Sequence, residues 1–280
     1  MELNQIPRAD AGVIGGSSTF NLSFPEELGI SGVRVLEDGL VFATPYGDSP
    51  PFKLFSVMGD KKEIKVLTCR MHGWRRGVER ARASRQVFWV LREAGVGTVL
   101  AEGGVGSVSR LLDPRDIVIP DDYLDFSMRK DVGLEDSHLL IMREALCPEL
   151  RRLLAVEAKA LGSYRVFERG TYAVTDGRHF ESPAEVRFLS MAGADVVGQS
   201  LCPEVYLARE IGACYAGVYL VVNYGEGVVR PWLHRELEEI FYSEGYAIGQ
   251  ILIQTLRKIP EDKNCSCSSL RKKTLLKGVY

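Results

Sequence analysis

The chain has 280 residues, 35 Lys+Arg against 37 Asp+Glu, and a formal net charge of −2. That balance argues against a nucleic-acid binder, which carries a basic stripe, and a hydrophobic content of 46% supplies a sizeable core and argues against disorder. No apolar run reaches the roughly 18 residues of a membrane helix, and the amino terminus has no signal-peptide core, so the chain reads as a cytosolic globular protein with neither nucleic-acid nor membrane partners.

In chain order, residues 11–16 read as a short buried strand entering a Gly-Gly-Ser loop, and residues 45–51, rich in Pro and Gly, separate strands. Residues 64–67 form a strand that ends in Cys69-Arg70-Met71-His72-Gly73-Trp74. Residues 79–94 read as a helix with Ala81, Val87, Phe88, Val90 and Leu91 on one face and Gly95 just past its end. Strands follow at 98–101, running into Glu102-Gly103-Gly104, and at 116–120. A helix over 148–161 ends at Gly162, and a strand covers 170–175. Helices over 184–192 and 203–211 enclose a strand at 194–198, a strongly apolar strand covers 215–222, and one long helix covers 233–256. Strands alternating with helices predict an α/β fold: a single domain over residues 1–280, with a central mixed sheet flanked by helices in three layers. The stretch from about residue 260, with Arg271-Lys272-Lys273, reads as an exposed tail.

Of the six cysteines, Cys69, Cys147, Cys202 and Cys214 stand singly in apolar segments and read as reduced core residues. Cys265 and Cys267 are separated by one residue, shorter than the usual C-x₂-C zinc spacing, and have no nearby His. A local redox pair, a strained disulfide and an incidental pair in a polar tail all stay open, and no metal site is expected.

Three strand-end loops carry groups suited to an oxyanion: amides and hydroxyls at Gly15-Gly16-Ser17-Ser18, a guanidinium and an imidazole at Arg70 and His72, and bare amides at Gly103-Gly104. Neither a phosphate-binding G-x-x-x-x-G-K-[ST] loop nor a dinucleotide fingerprint is present. Ligands of such sheets sit beyond the strand ends.

The ordered stretches Gly170-Thr171-Tyr172 through Phe180-Glu181 with Ala184-Glu185, and Gly193-Ala194-Asp195-Val196-Val197-Gly198 through Pro203-Glu204-Val205 and Ala208-Arg209-Glu210, go further. With Thr44-Pro45-Tyr46-Gly47 and Asp116-Ile117-Val118-Ile119-Pro120, they make the chain resemble the trimeric purine nucleoside phosphorylase and methylthioadenosine phosphorylase family. The resemblance implies phosphate-dependent cleavage of an N-glycosidic bond to free base and pentose 1-phosphate, with inorganic phosphate as co-substrate and no cofactor or metal. It also implies a homotrimer or a dimer of trimers.

Carried over by residue, the resemblance places Ser17, Arg70, His72, Gly104 and Ser200 at phosphate, Phe180 against the purine, and Glu181 and Asn223 on the base edge. Gln199, Trp74 and His234 fall on the sugar and 5′ side, and His138 reaches a neighbouring subunit's site. Asn223 in place of Asp suits 6-oxopurines, because an amide both accepts and donates whereas a carboxylate only accepts. The implied substrates are inosine and guanosine, with methylthioinosine as a further candidate. The alternatives are a 5′-methylthioadenosine phosphorylase and a catalytically weak nucleoside-binding member. Each residue also has a plainer reading: an exposed imidazole for His72, a helix cap for Ser200, core for Phe180, a capping acid for Glu181 and a strand-end turn for Asn223. Departures from the family pattern are Gly103, Arg178 where a Pro is usual, and Gln199 where a Met is usual.

Overall fold

A computed structural model describes residues 5–134 and 137–275. Its elements in chain order are β1 (Ala11–Ile14), β2 (Val33–Leu40), β3 (Ala43–Thr44), β4 (Gly47–Asp48), β5 (Phe52–Met58), β6 (Glu63–Cys69), α1 (Arg80–Glu93), β7 (Thr98–Ser107), β8 (Ile117–Val118), β9 (Asp122–Asp125), β10 (His138–Leu140), α2 (Pro148–Ala160), β11 (Val166–Phe167), β12 (Thr171–Val174), α3 (Pro183–Met191), β13 (Val196–Gly198), α4 (Leu201–Glu210), β14 (Cys214–Tyr224), α5 (His234–Ser243), α6 (Gly245–Arg257) and β15 (Arg271–Lys273).

The main sheet runs β11-β8-β14-β7-β1-β6-β5-β2, with β13, β12 and β9 attached beyond the end of β7. Its centre is parallel: β1 pairs in parallel with both β6 and β7, and β14 pairs in parallel with β7. Such strands need cover on both faces, which explains why every residue of β1 and the first eight residues of β14 are buried. One face packs under α1 and α4 through Val87, Phe88, Leu91, Val205 and Ala208. The other packs under α2 and α6 through Leu150, Leu154, Ile248, Ile251 and Leu252. The mixed three-layer reading therefore matches the observed fold.

Several elements differ from expectation. β2 and β5 were not foreseen, and the strand expected at 98–101 runs on to Ser107, so Gly103 and Gly104 lie inside β7 and not in a loop after it. The long last helix is two helices, broken at Glu244. The buried Glu244 carboxylate takes hydrogen bonds from the Arg115 guanidinium, the Tyr164 hydroxyl and the Ser243 hydroxyl, which fixes the corner. The expected exposed tail is instead docked in part. A single 3₁₀ turn at Cys267–Leu270 buries Cys267 and Leu270, Arg209 Nη1 donates to the Cys267 carbonyl at 2.9 Å, and β15 pairs antiparallel with β10. No helix of the described residues is long and apolar enough to cross a membrane.

Candidate active site

A cavity of about 370 Å³ opens where β1, β6, β7, β13 and β14 end, with α5 along one side. Ser17, His72, Trp74, Gly104, Phe180, Glu181, Gln199, Ser200 and Asn223 all line it. Nine expected site residues scattered from position 17 to 223 thus converge on one cavity.

At one end, the loop after β1 wraps around Glu102, a wholly buried carboxylate in β7. Glu102 accepts the Gly16 amide at 2.5 Å, the Ser18 and Thr19 amides at 3.1 Å each, and the Thr19 hydroxyl at 2.7 Å. Four donors on one carboxylate hold the loop in place, and with it the Ser17 hydroxyl. A Cβ on Gly16 would sit 2.2 Å from the Glu102 carbonyl and 2.7 Å from His72 Nε2, so only glycine fits. The Gly104 amide donates to Ser17 Oγ at 2.9 Å, so here it orients the hydroxyl. Ser200 stands at the start of α4, yet its hydroxyl does not cap the helix. It lies 3.4 Å from the Tyr172 hydroxyl, on the cavity wall.

His72 is buried rather than exposed, because Met71 and His72 adopt left-handed backbone, φ +47° and +55°, and fold the imidazole under the cavity floor. Its Nδ1 lies 2.8 Å from the buried Glu204, whose other oxygen accepts the Tyr215 hydroxyl at 2.9 Å. This chain of bonds fixes the ring and aims Nε2 at the Gly16 loop. Trp74 stacks between His72, at 5.1 Å, and the Arg80 guanidinium, at 4.0 Å. Burial, and then the neighbouring Arg129 and Arg178 cations, push the Arg80 pKa down. Gln199 accepts from Arg80 at 2.9 Å, and a Cβ on Gly177 would overlap it at 1.9 Å, so Gly177 seats this side chain.

The opposite end is built by a bulge and a capped helix. The β14–β7 register slips at Val222, so that Asn223 sits opposite Gly106 and lines the cavity. Asn223 is an internal, paired strand residue and not a turn. Its Nδ2 donates to the Tyr224 carbonyl at 2.8 Å, while its buried Oδ1 has no partner. Ser182 and Glu185 form a reciprocal capping box at the start of α3, so the capping acid is Glu185. Glu181, buried just before it, accepts the Thr175 hydroxyl at 2.6 Å and faces the cavity. Phe180 is half exposed at the rim, 5.0 Å from Trp232.

Three expected residues lie elsewhere. Arg70 precedes the left-handed turn, so its side chain leaves on the opposite side, donates to the Leu22 carbonyl at 2.9 Å and lines a neighbouring groove. His234 is exposed at the first turn of α5, while Leu237 and Phe241 of that helix line the cavity. His138 is held in the β10–β15 ladder, its Nδ1 2.8 Å from the Ser137 hydroxyl. Sequence reasoning missed Glu102, Arg80, Trp232, Leu237 and Phe241. Only Glu102 left a signal, as a charge inside the otherwise uncharged strand from Thr98 to Ser107.

Residues 35–257 match the family model described as the phosphorylase superfamily. The chain is 33% identical over 277 residues to a probable 6-oxopurine nucleoside phosphorylase of Dictyoglomus turgidum, covering 95% of this chain and 98% of that one. It is 32% identical over 267 residues to an S-methyl-5′-thioadenosine phosphorylase of Thermococcus kodakarensis, covering 93% and 97%. A solved methylthioadenosine phosphorylase from an Antarctic soil metagenomic library shares the fold at a TM-score of 0.76 and 23% identity, over 94% of this chain and 91% of that one. The chain belongs to the phosphorylase superfamily.

Proposed function

We propose that the chain is a purine nucleoside phosphorylase acting on 6-oxopurine nucleosides. The observation that carries the base preference is the Asn223 amide on the cavity wall, with a buried unpartnered Oδ1 and an Nδ2 anchored on the Tyr224 carbonyl, together with Glu181 on the same wall. A buried acceptor without a partner costs about 1–3 kcal/mol, and the N7–H formed as the purine leaves would satisfy it. The second Nδ2 hydrogen is free to donate to O6, and Glu181 accepts from N1–H. Ser17, Ser200 and His72 form the phosphate end, with Gly103 and Gly104 leaving room for the ion. A phosphate oxygen forms a bond to C1′ as the C1′–N9 bond breaks, and the bonding pair leaves with the purine, which takes up a proton. Positive charge on the sugar is greatest midway, so an anion held beside it stabilises that state directly. Phosphate is the co-substrate, and the reaction needs no cofactor.

A second reading, 5′-methylthioadenosine phosphorylase, draws on a different part of the cavity. Leu237 and Phe241 line the α5 side while His234 stays outside, which suits an apolar 5′ substituent. A homotrimer or dimer of trimers, with His138 reaching a neighbour, and a cytoplasmic site of action complete the proposal. Phosphate-dependent release of base from inosine, guanosine, adenosine, methylthioadenosine and methylthioinosine tests it. We expect the 6-oxopurines to turn over faster. Exclusive turnover of adenosine and methylthioadenosine would overturn the role of Asn223, and binding without turnover would point to a nucleoside-binding member.

A further inference from the structure

Far from this cavity, folding gathers four cysteines that the sequence spreads over three regions. Cys147 stands immediately before the first turn of α2, and Cys214 opens β14. Cys265 and Cys267 come from the docked carboxy-terminal segment. Their four Sγ atoms all lie within 4.8 Å of one another, and Cys214 Sγ is 3.5 Å from Cys265 Sγ. A disulfide needs about 2.05 Å. Four sulfurs at about 2.3 Å from a tetrahedral ion are spaced about 3.8 Å apart. The 3.5 Å separation and the 4.8 Å limit bracket that spacing. The short Cys-x-Cys interval, which argued against a metal when read along the chain, supplies only half of the set; the rigid sheet and helix supply the other half.

The surroundings suit thiolates. Cys147 stands at the amino-terminal end of a 13-residue helix, where partial positive charge favours an anion. Cys147, Cys214 and Cys267 are buried and Cys265 is partly exposed, which leaves an entry path for an ion.

We propose that Cys147, Cys214, Cys265 and Cys267 form a structural tetrathiolate site for zinc or another thiophilic divalent ion. Binding forms four metal–sulfur bonds and releases four thiol protons, with no change of oxidation state. All four ligands come from the protein, so no position stays open for substrate, and the role is structural. The ion ties the 3₁₀ turn at Cys267–Leu270, and through it β15 and its partner strand β10, to the sheet.

The test uses the full-length chain, purified with reductant and without chelator, exposed to zinc and desalted. We expect about one zinc per chain by elemental analysis. Cobalt in its place should give the sulfur-to-metal charge-transfer band of tetrahedral thiolate coordination. The C265S/C267S double variant should lose both signals. In the wild-type chain, alkylation of these cysteines should be blocked until a chelator is added. No retained zinc and no cobalt–thiolate band in the reduced wild-type chain would overturn the site. So would an intact mass showing that these cysteines pair as disulfides and take up no metal.

Discussion

In the proposed reading base choice turns on the Asn223 amide, whose Oδ1 accepts and whose Nδ2 donates. The Oδ1 atom is buried, aimed into the cavity and without a protein partner, while the amide nitrogen is anchored on the Tyr224 carbonyl. Replacing the amide by a carboxylate keeps the size but removes the donor. We therefore expect Asn223→Asp to lower kcat/KM for inosine by about tenfold to a hundredfold, the equivalent of losing about 1–3 kcal/mol. Adenosine should lose less or gain, and parallel steady-state assays read the ratio; an unchanged ratio would remove Asn223 from base recognition. Nine of the cavity's residues, from Ser17 to Asn223, were legible because the motif order matched a known family, whereas Arg80, Trp232 and Phe241 were not. Arg70 was misplaced for a reason sequence does not display. Two consecutive left-handed residues, Met71 and His72, turn the chain between Arg70 and the cavity. Glu102 was passed over because it was read as the start of a loop after a strand at 98–101; the strand runs on to Ser107, and a lone carboxylate inside it has to be satisfied by something, here the loop that carries Ser17.

Among the elements, strand and helix placement followed from apolar runs bounded by Gly and Pro. What the runs do not carry is register. The bulge at Val222 rotates the end of β14 so that Asn223 faces the cavity, and nothing in an apolar run followed by Asn announces it. The break between α5 and α6 was likewise invisible, since both helices share an apolar face and the corner is set by Arg115 and Tyr164, distant in sequence. At that corner Gly245 touches the Ser17–Ser18 loop: a Cβ there would lie 2.5 Å from the Ser18 carbonyl. Gly245→Ala should push α6 and the Ser17–Ser18 loop apart at a cost of roughly 1–3 kcal/mol. The expected result is a lower Tm and a raised KM for phosphate with a smaller change in KM for the nucleoside. A variant with unchanged Tm and unchanged phosphate KM would show that the helix does not brace the loop.

For the whole molecule, the three-layer arrangement follows from alternation alone, because a parallel centre has to be covered on both faces. The carboxy-terminal docking does not, since Arg209 and β10, which hold it, lie far away in the chain. Exposed Phe126 and Phe188, in edge contact at 5.5 Å, stand near exposed Met128 and form an apolar patch that self-association would bury. A sedimentation mass of three or six times 31.1 kDa is expected, and a monomer at assay concentration would rule out a shared site. In the proposed reading one cavity transfers a pentosyl group from a purine to phosphate. Phosphorus NMR of the enzyme with inosine and inorganic phosphate tests it most directly. We predict a growing sugar 1-phosphate signal matched by an equal loss of phosphate and an equal release of hypoxanthine. Base released with the phosphate signal unchanged would mean hydrolysis, and would contradict the account.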